Sequence, residues 1–393
     1  MRTSIQVGKL IGIPIRLHFT FLFILLAIIL GFAIGPTTEY RIPLGLGGIE
    51  MDPFLRYSLS AIAAILFFFT LLLHEMSHSY VAMKFGTKIH SITLFFFGGL
   101  AMMEDIPRNP EKEWRIAIAG PLMSFAIGGV FLLPLLTYFK FDIETISKSS
   151  SPLLILVFII GFFNLILAFF NLLPAFPMDG GRVLRAFLAK RMSFLKATKR
   201  AVLIGKTFAV AMVIVGLFRD PFTFILIGEW RYNLWLPLLA VFLYIAATEE
   251  ENATITFATL EGITVKNVMR TERTSVLEDI PIAELASKML DEKTAEYAVV
   301  SESGDLKGFV TFGEIKGLPA EQRHFLRVSD VISSFDSIGD VILEREEAAE
   351  ALKRMIRNKR TVLAVKEEEN GNFVGIITKR DLATYIEMLK GSV

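Results

Sequence analysis

The chain has 393 residues, 53% of them hydrophobic, with 35 phenylalanines and a near balance of 41 Lys and Arg against 40 Asp and Glu. That apolar content is above the range of soluble globular domains and points to a membrane protein, while the neutral balance offers no basic surface, so no nucleic-acid partner is expected. Cysteine is absent, which removes disulfides, thiolate metal ligands and a cysteine nucleophile.

The apolar residues crowd into the first 250 positions or so, and the remainder of the chain reads as a soluble domain of mixed charge. Met1–Arg16 carries Arg2, Lys9 and Arg16, and no small-residue cleavage site follows the first apolar run, so that run is expected to be a retained helix rather than a removed signal. Runs able to cross a hydrocarbon core of about 30 Å are expected near Leu17–Pro36, Arg56–Ala82, Arg115–Phe139, Pro152–Leu173, Ala201–Phe218 and Asn233–Thr248. Phe222–Trp230 is apolar but short and is assigned to an external loop. Lys and Arg gather in the N-terminal segment, between Lys84 and Arg115, and from Arg182 to Arg200. By the positive-inside rule these stretches are cytoplasmic, and so are both the N-terminus and the C-terminal domain of this multi-pass cell-membrane protein.

The second run contains His74-Glu75-Met76-Ser77-His78. Histidines four residues apart share one helix face, so both imidazoles can reach one metal ion, and Glu75 beside them can take a proton from water. A five-residue pattern with two free positions also arises by chance. A glutamate inside a membrane helix, however, costs on the order of a few kcal/mol and faces a functional cavity as a rule. Next, Ile92-Thr93-Leu94-Phe95-Phe96-Phe97 leads into Gly98-Gly99, a β-prone run with a turn signal, and predicts a short hairpin at the membrane face. Such backbone must be covered by protein or line a watery cavity. Gly120-Pro121 with Ser124, Gly128 and Gly129 marks the third run for close helix packing.

The fourth run breaks at Asn171-Leu172-Leu173-Pro174-Ala175-Phe176-Pro177-Met178-Asp179-Gly180-Gly181, because each proline lacks an amide donor and crowds the preceding turn. Asp179 is the best candidate for the third ligand that catalytic zinc needs; a helix-capping aspartate is the alternative. Depth gives a check. From Arg56 to His74 a helix climbs roughly 27 Å, and the break near Pro174 arrives at the same cytoplasmic level.

Beyond Glu249-Glu250-Glu251 two related blocks appear. One runs from Val265-Lys266-Asn267-Val268-Met269 to Gly308-Phe309-Val310-Thr311-Phe312-Gly313-Glu314. The other runs from Val328-Ser329-Asp330-Val331-Ile332 to Gly375-Ile376-Ile377-Thr378-Lys379-Arg380-Asp381. Each predicts an amphipathic helix (Ile282–Leu290, Ala348–Ile356), then a strand (Tyr297–Val300, Val362–Val365), then a strand running into a helix start. The chain thus divides into a membrane domain over 1–250, a linker over 251–261, and repeats over 262–320 and 321–393.

His74 to His78, Gly98-Gly99, Ala119-Gly120-Pro121, and Asn171 to Gly181 followed by Arg182-Val183-Leu184-Arg185 together resemble the site-2 protease family of intramembrane metalloproteases, in the form that carries a C-terminal pair of CBS domains. The resemblance covers essentially the whole chain. It implies an α-helical integral membrane protein of about six transmembrane helices with a small embedded β-hairpin, followed by an α+β CBS pair. It further implies one zinc ion per chain on His74, His78 and Asp179, Glu75 as general base, and Asn171 as a catalytic residue holding the substrate carbonyl or its oxyanion. The implied reaction is hydrolysis of peptide bonds within transmembrane segments of membrane-protein substrates. The hairpin around Phe95–Leu100 is expected to receive the locally unwound substrate by strand addition.

The second half resembles CBS domains, whose pairs bind adenine nucleotides such as AMP, ADP or ATP. Thr378 and Asp381 match the positions expected at phosphate and ribose, with Thr311 the counterpart in the first repeat, where Glu314 stands in place of the usual aspartate. A ligand-free module that pairs two chains as a homodimer is the alternative for this half. For the whole protein the competing readings are a CBS-regulated transporter or channel, which needs no His-Glu-x-x-His helix, and an inactive protease-like binding protein. His18 is assigned to the membrane interface, His90 is read as a structural residue bordering the hairpin, with a place behind the site as the lesser alternative, and His324 receives no role.

Overall fold

Proline sets the start of three long helices, each after a residue suited to cap it: α2 (Pro53–Lys84) after Asp52, α3 (Pro110–Tyr138) after Asn109, and, beyond the short α4 (Ile143–Ser147), α5 (Pro152–Asn171) after Ser151. Proline is pre-set for the first helical turn and gives up an amide that would have had no partner there. Asp52 accepts from the Leu55 amide at 3.2 Å and Asn109 from the Glu111 amide at 2.9 Å. The structure, a computed structural model, describes the chain apart from residues 1–3, 36–41, 96–97, 104–108, 141, 219–223, 225–231, 272–274, 320, 333–338, 369–370 and 392–393. The chain divides into two units, Met1–Ala253 and Thr254–Val393.

In the first unit α2, α3, α5 and α7 (Phe194–Phe218) are long and apolar enough to cross a membrane. The other two expected spans have different bounds in the structure. Leu17 and His18 belong to a strand, so α1 (Phe21–Ile34) has 14 residues, against the roughly 20 a crossing takes. The last helix, α8 (Trp235–Thr259), leaves its apolar stretch at Glu249 and continues as helix through the expected linker. The Phe222–Trp230 segment lies almost wholly outside the described residues.

Between α3 and α5 the backbones approach through glycine: a Cβ on Gly128 would lie 2.5 Å from Leu165, and one on Gly161 would lie 2.6 Å from Leu132. Leu132, Ile155, Phe158 and Ile159 form the core there with Ala63 and Ala64 of α2. Helix α3 also packs on α2 and on α6 (Asp179–Ala189), and is the element that the others share.

The predicted hairpin is present as β3 (Ile89–Phe95) and β4 (Gly98–Met103), antiparallel with Phe95 opposite Gly98. A second hairpin, absent from the sequence-based expectation, joins it: β1 (Ser4–Leu10) and β2 (Ile13–His18) turn through Ile11 and Gly12 at φ 50° and 80°. Strand β2 runs parallel to β3, Ile15 beside Ile92, which gives a sheet of order β1-β2-β3-β4. His18 is thus the end of a strand, where its Nδ1 lies 2.8 Å from the Thr20 hydroxyl.

The second unit holds two β-α-β-β blocks. The first is β6 (Ser275–Leu277), α9 (Ile282–Asp291), β7 (Glu296–Val300) and β8 (Leu306–Thr311). The second is β9 (Val341–Leu343), α11 (Ala348–Arg357), β10 (Val362–Lys366) and β11 (Phe373–Thr378). Short α10 (Phe312–Lys316) and longer α12 (Lys379–Gly391) come after the last strands, and the short β5 (Arg270–Thr271) pairs with β11. The segment that opens each block closes the core of the other. Leu260, Val265 and Val268 pack with Ile342, Ala348 and Leu363, while Val328 packs with Val276, Ile282 and Leu285. The exchange is pinned by backbone bonds from Val265 N to Glu346 O (2.9 Å) and from Val328 N to Ile280 O (3.0 Å).

Candidate functional site

Helix α2 turns His74 and His78 to one side, both buried, and α6 begins with Asp179 opposite them. The His74 and His78 Nε2 atoms are 3.2 Å apart, and Asp179 Oδ2 lies 3.3 Å from the first and 3.0 Å from the second. Donor atoms around a tetrahedral zinc ion with bonds of 2.0–2.2 Å stand about 3.3 Å from one another, so the trio has the spacing of a zinc site.

Hydrogen bonds behind the rings agree with that. His78 Nδ1–H donates to the Ile116 carbonyl at 2.7 Å; a carbonyl can only accept, so Nε2 keeps its lone pair free to bind a metal. His74 Nδ1 lies 2.9 Å from Ser124 Oγ. Both partners belong to α3, and Gly120 lies between them in sequence. A Cβ on Gly120 would sit 2.2 Å from His78 Nε2 and 2.5 Å from His74 Nε2, in the space that a bound ion needs. The Glu75 side chain meets the hairpin: a Cβ on Gly99 would lie 2.3 Å from its Cγ. Sequence reasoning took Gly120 and Ser124 for packing residues and Gly98-Gly99 for a turn. Their spacing with Ile116 held the signal, since 116, 120 and 124 share one helix face.

Between α5 and α6 the chain folds back so tightly that a Cβ on Gly180 would fall 2.3 Å from the carbonyls of Leu172 and Leu173. This turn delivers Asp179 to the histidines. Asn171 ends α5, and its side-chain amide donates to the Leu167 carbonyl at 3.0 Å, one turn back, rather than to any of the three ligand atoms.

In the second unit Thr378 is fully buried, and its hydroxyl and amide donate to Asp381 Oδ2 at 2.7 and 3.0 Å. Asp381 Oδ1 accepts from Arg270 Nε at 2.6 Å. Thr311 and Glu314 make the equivalent reciprocal cap at α10, with the Thr311 amide donating at 2.7 Å. Arg270 and Asp381 line a cavity of about 450 Å³ with Lys293, Thr294, Arg380 and Tyr385. Nearby, burial pushes the Glu296 carboxyl above the usual carboxylate range, against a hydrogen bond from Thr361 and the charges of Arg270 and Arg380. The structure thus gathers His74, His78 and Asp179, sets Glu75 against the hairpin, and leaves Asn171 and Thr378 engaged by their own chain neighbours.

Comparison with known proteins agrees in both halves. The family model for peptidase family M50 matches residues 62–151 and 140–214, and that for the CBS domain matches 265–320 and 330–388. The zinc metalloprotease MJ0392 of Methanocaldococcus jannaschii is 35% identical over 390 residues, 99% of this chain and 98% of its own length. The putative zinc metalloprotease Rip3 of Mycobacterium tuberculosis is 27% identical over 404 residues, 99% of this chain and 94% of its own. Among solved structures, the site-2 protease from Methanocaldococcus jannaschii matches with 39% identity over 63% of this chain and 95% of that one, at a TM-score of 0.41.

Proposed function

The chain belongs to peptidase family M50, the site-2 type of zinc metalloprotease, with a CBS pair behind it; from this we propose that His74, His78 and Asp179 hold the zinc and that Glu75 is the general base for cleaving transmembrane segments of membrane proteins. The observation that carries the reading is the approach of three donor atoms, from α2 and α6, to within 3.0–3.3 Å of one another. Zinc, when bound, supplies a Lewis acid that polarises the peptide carbonyl and makes water a better nucleophile. Glu75 takes the proton from the attacking water and returns it to the departing amine. Asn171 orients the carbonyl oxygen, once its amide has left Leu167.

A helical substrate hides its carbonyls in its own hydrogen bonds and must unwind first. Strand β4 ends the sheet and brings Gly99 against Glu75, which supports strand addition along β4 as the way an unwound segment is presented. The Arg270–Asp381 cavity supports adenine-nucleotide binding at the CBS pair, with effects on proteolysis, and pairing of two chains through these domains belongs to the same reading. The Lys and Arg distribution supports cytoplasmic N-terminus and CBS domains.

The deciding experiment is Glu75→Gln in the full chain, reconstituted with a membrane-embedded reporter substrate. Loss of a general base lowers turnover about 10²–10⁴-fold. Zinc content stays at the wild-type level. A variant that cleaves at the wild-type rate removes Glu75 from the chemistry.

A further inference from the structure

Arg185 is 3% exposed inside the membrane unit, and nothing in the proposed chemistry uses it. A buried guanidinium persists only where its donors are met, and this one is met from two other helices. Its Nε and Nη2 donate to Glu113 Oε1 at 2.7 and 2.5 Å, and Nη1 donates to Glu250 Oε1 at 2.7 Å. Glu113, 1% exposed, lies on α3, and Glu250 on α8. The guanidinium also lies over the rings of Phe176 and Phe194, at 4.9 and 4.7 Å.

Arg185 and Asp179 share the short helix α6. Six residues of helix separate them by about 9 Å, so whatever fixes Arg185 fixes the position of Asp179. Phe176 belongs to the turn that leads into Asp179, so the same guanidinium also holds that turn.

On α3, Glu113 lies three residues before Ile116, whose carbonyl sets His78, and seven before Gly120, which adjoins both imidazoles. Ser124, which meets His74, completes the face. One face of one helix therefore orients both histidines and grips the helix that bears the aspartate.

We propose that Arg185 is the positioning residue that sets Asp179 against the imidazole pair, gripped for that purpose by Glu113 and by Glu250. The inference rests on the zinc reading of His74, His78 and Asp179. On α8 the adjacent Glu251 pairs with Lys206 of α7 at 2.9 Å, which holds the helix next to Glu250. A shift of α8 along its axis would therefore bear on Asp179 through Glu250 and Arg185.

The test uses full-length, zinc-loaded protein in lipid nanodiscs and follows zinc transfer to a chromogenic chelator. It also follows the visible spectrum of the cobalt-substituted protein and cleavage of a membrane-embedded reporter. Arg185→Lys keeps the charge but not the planar fork. It is expected to release zinc about 10–100-fold faster, to change the cobalt bands, and to lower kcat with KM within about twofold. Glu250→Gln leaves the Glu113 pair in place, so it folds even where Arg185→Lys does not, and it is expected to release zinc about threefold to tenfold faster.

Wild-type zinc release and cobalt bands in Arg185→Lys overturn the proposal; so does a folded Glu250→Gln that releases zinc at the wild-type rate. A wild-type protein that takes up no zinc overturns the metal reading and the proposal with it.

Discussion

At the proposed zinc site His74 and His78 of α2 and Asp179 at the start of α6 turn their side-chain atoms toward one another, across up to 105 positions of sequence. In the C-terminal unit Thr378 and Asp381, three residues apart, turn theirs onto a single helix start, and Arg270 reaches in to Asp381 from elsewhere. Both motifs stood out in the sequence for the chemistry of their side chains. In the first, no backbone group among the described residues takes the imidazole Nε2 atoms, which face Asp179 from a distant helix, the arrangement the zinc proposal rests on. In the second, a reciprocal cap already accounts for a hydroxyl and a carboxylate at that spacing. A motif whose polar atoms lack a local partner therefore says more about function than one whose atoms have one.

The largest test of that contrast is Gly120→Ala. Alanine is the better helix former by roughly 1 kcal/mol, so local propensity favours the substitution. At this position, however, the added methyl group would lie 2.2 Å from His78 Nε2. Zinc content and cleavage of an embedded reporter are expected to fall at least about 100-fold while the helix content by circular dichroism is unchanged. A Gly120→Ala protein with full zinc occupancy would show that the imidazoles do not share an ion at this point. Ser124→Ala is milder. It removes the partner of His74 Nδ1 without adding bulk, and zinc affinity by chelator competition is expected to drop about 10–100-fold.

The histidine pair, the helix break and the hairpin were legible because each is written in adjacent residues: an i, i+4 spacing, two prolines, a β-branched and aromatic run before Gly98-Gly99. The two repeats were legible for the same reason. The partner of His78 was not, because a backbone carbonyl such as that of Ile116 has no residue identity to read. Nor was the N-terminal hairpin, although Ile13, Ile15 and Leu17 alternate with polar or small neighbours; its strand β2 is completed by β3, more than 70 residues on. The length of the first and last membrane runs misled for a related reason. Leu17 and His18 adjoin the apolar run and read as its start, yet they pair in a sheet, and Glu249 to Glu251 remain helical because Glu250 and Glu251 find Arg185 and Lys206. The exchange of opening segments between the CBS blocks was hidden too, since Val265 and Val328 occupy equivalent places in the two repeats and fit either core.

Asp381→Ala tests the other side of the comparison. If Asp381 contacts a ribose as well as capping α12, the substitution weakens ATP binding to the full chain, measured by equilibrium dialysis, by about tenfold or more, the scale of a hydrogen bond to a charged group. Zinc retention is expected not to change, because the proposed ligands His74, His78 and Asp179 all belong to the first unit. Unchanged ATP affinity reduces Asp381 to its cap and its ion pair with Arg270.

The smallest effect is expected at Thr311, and it bears on the same question from the first repeat. Thr311 and Glu314 form a complete reciprocal cap, with the Thr311 amide and hydroxyl both donating to Glu314 Oε2, at 2.7 and 3.0 Å. Glutamate satisfies the cap as well as aspartate does, so the departure from the usual residue costs the fold nothing that the structure records. Thr311→Ala removes the hydroxyl and is expected to destabilise the start of α10 by ~1 kcal/mol. Hydrogen exchange of the 312–316 amides should then quicken about fivefold, with ATP affinity and zinc release unaltered. A loss of ATP affinity in Thr311→Ala that matches the loss in Asp381→Ala would instead give the two repeats equivalent ligand roles, and the capping account would no longer separate them.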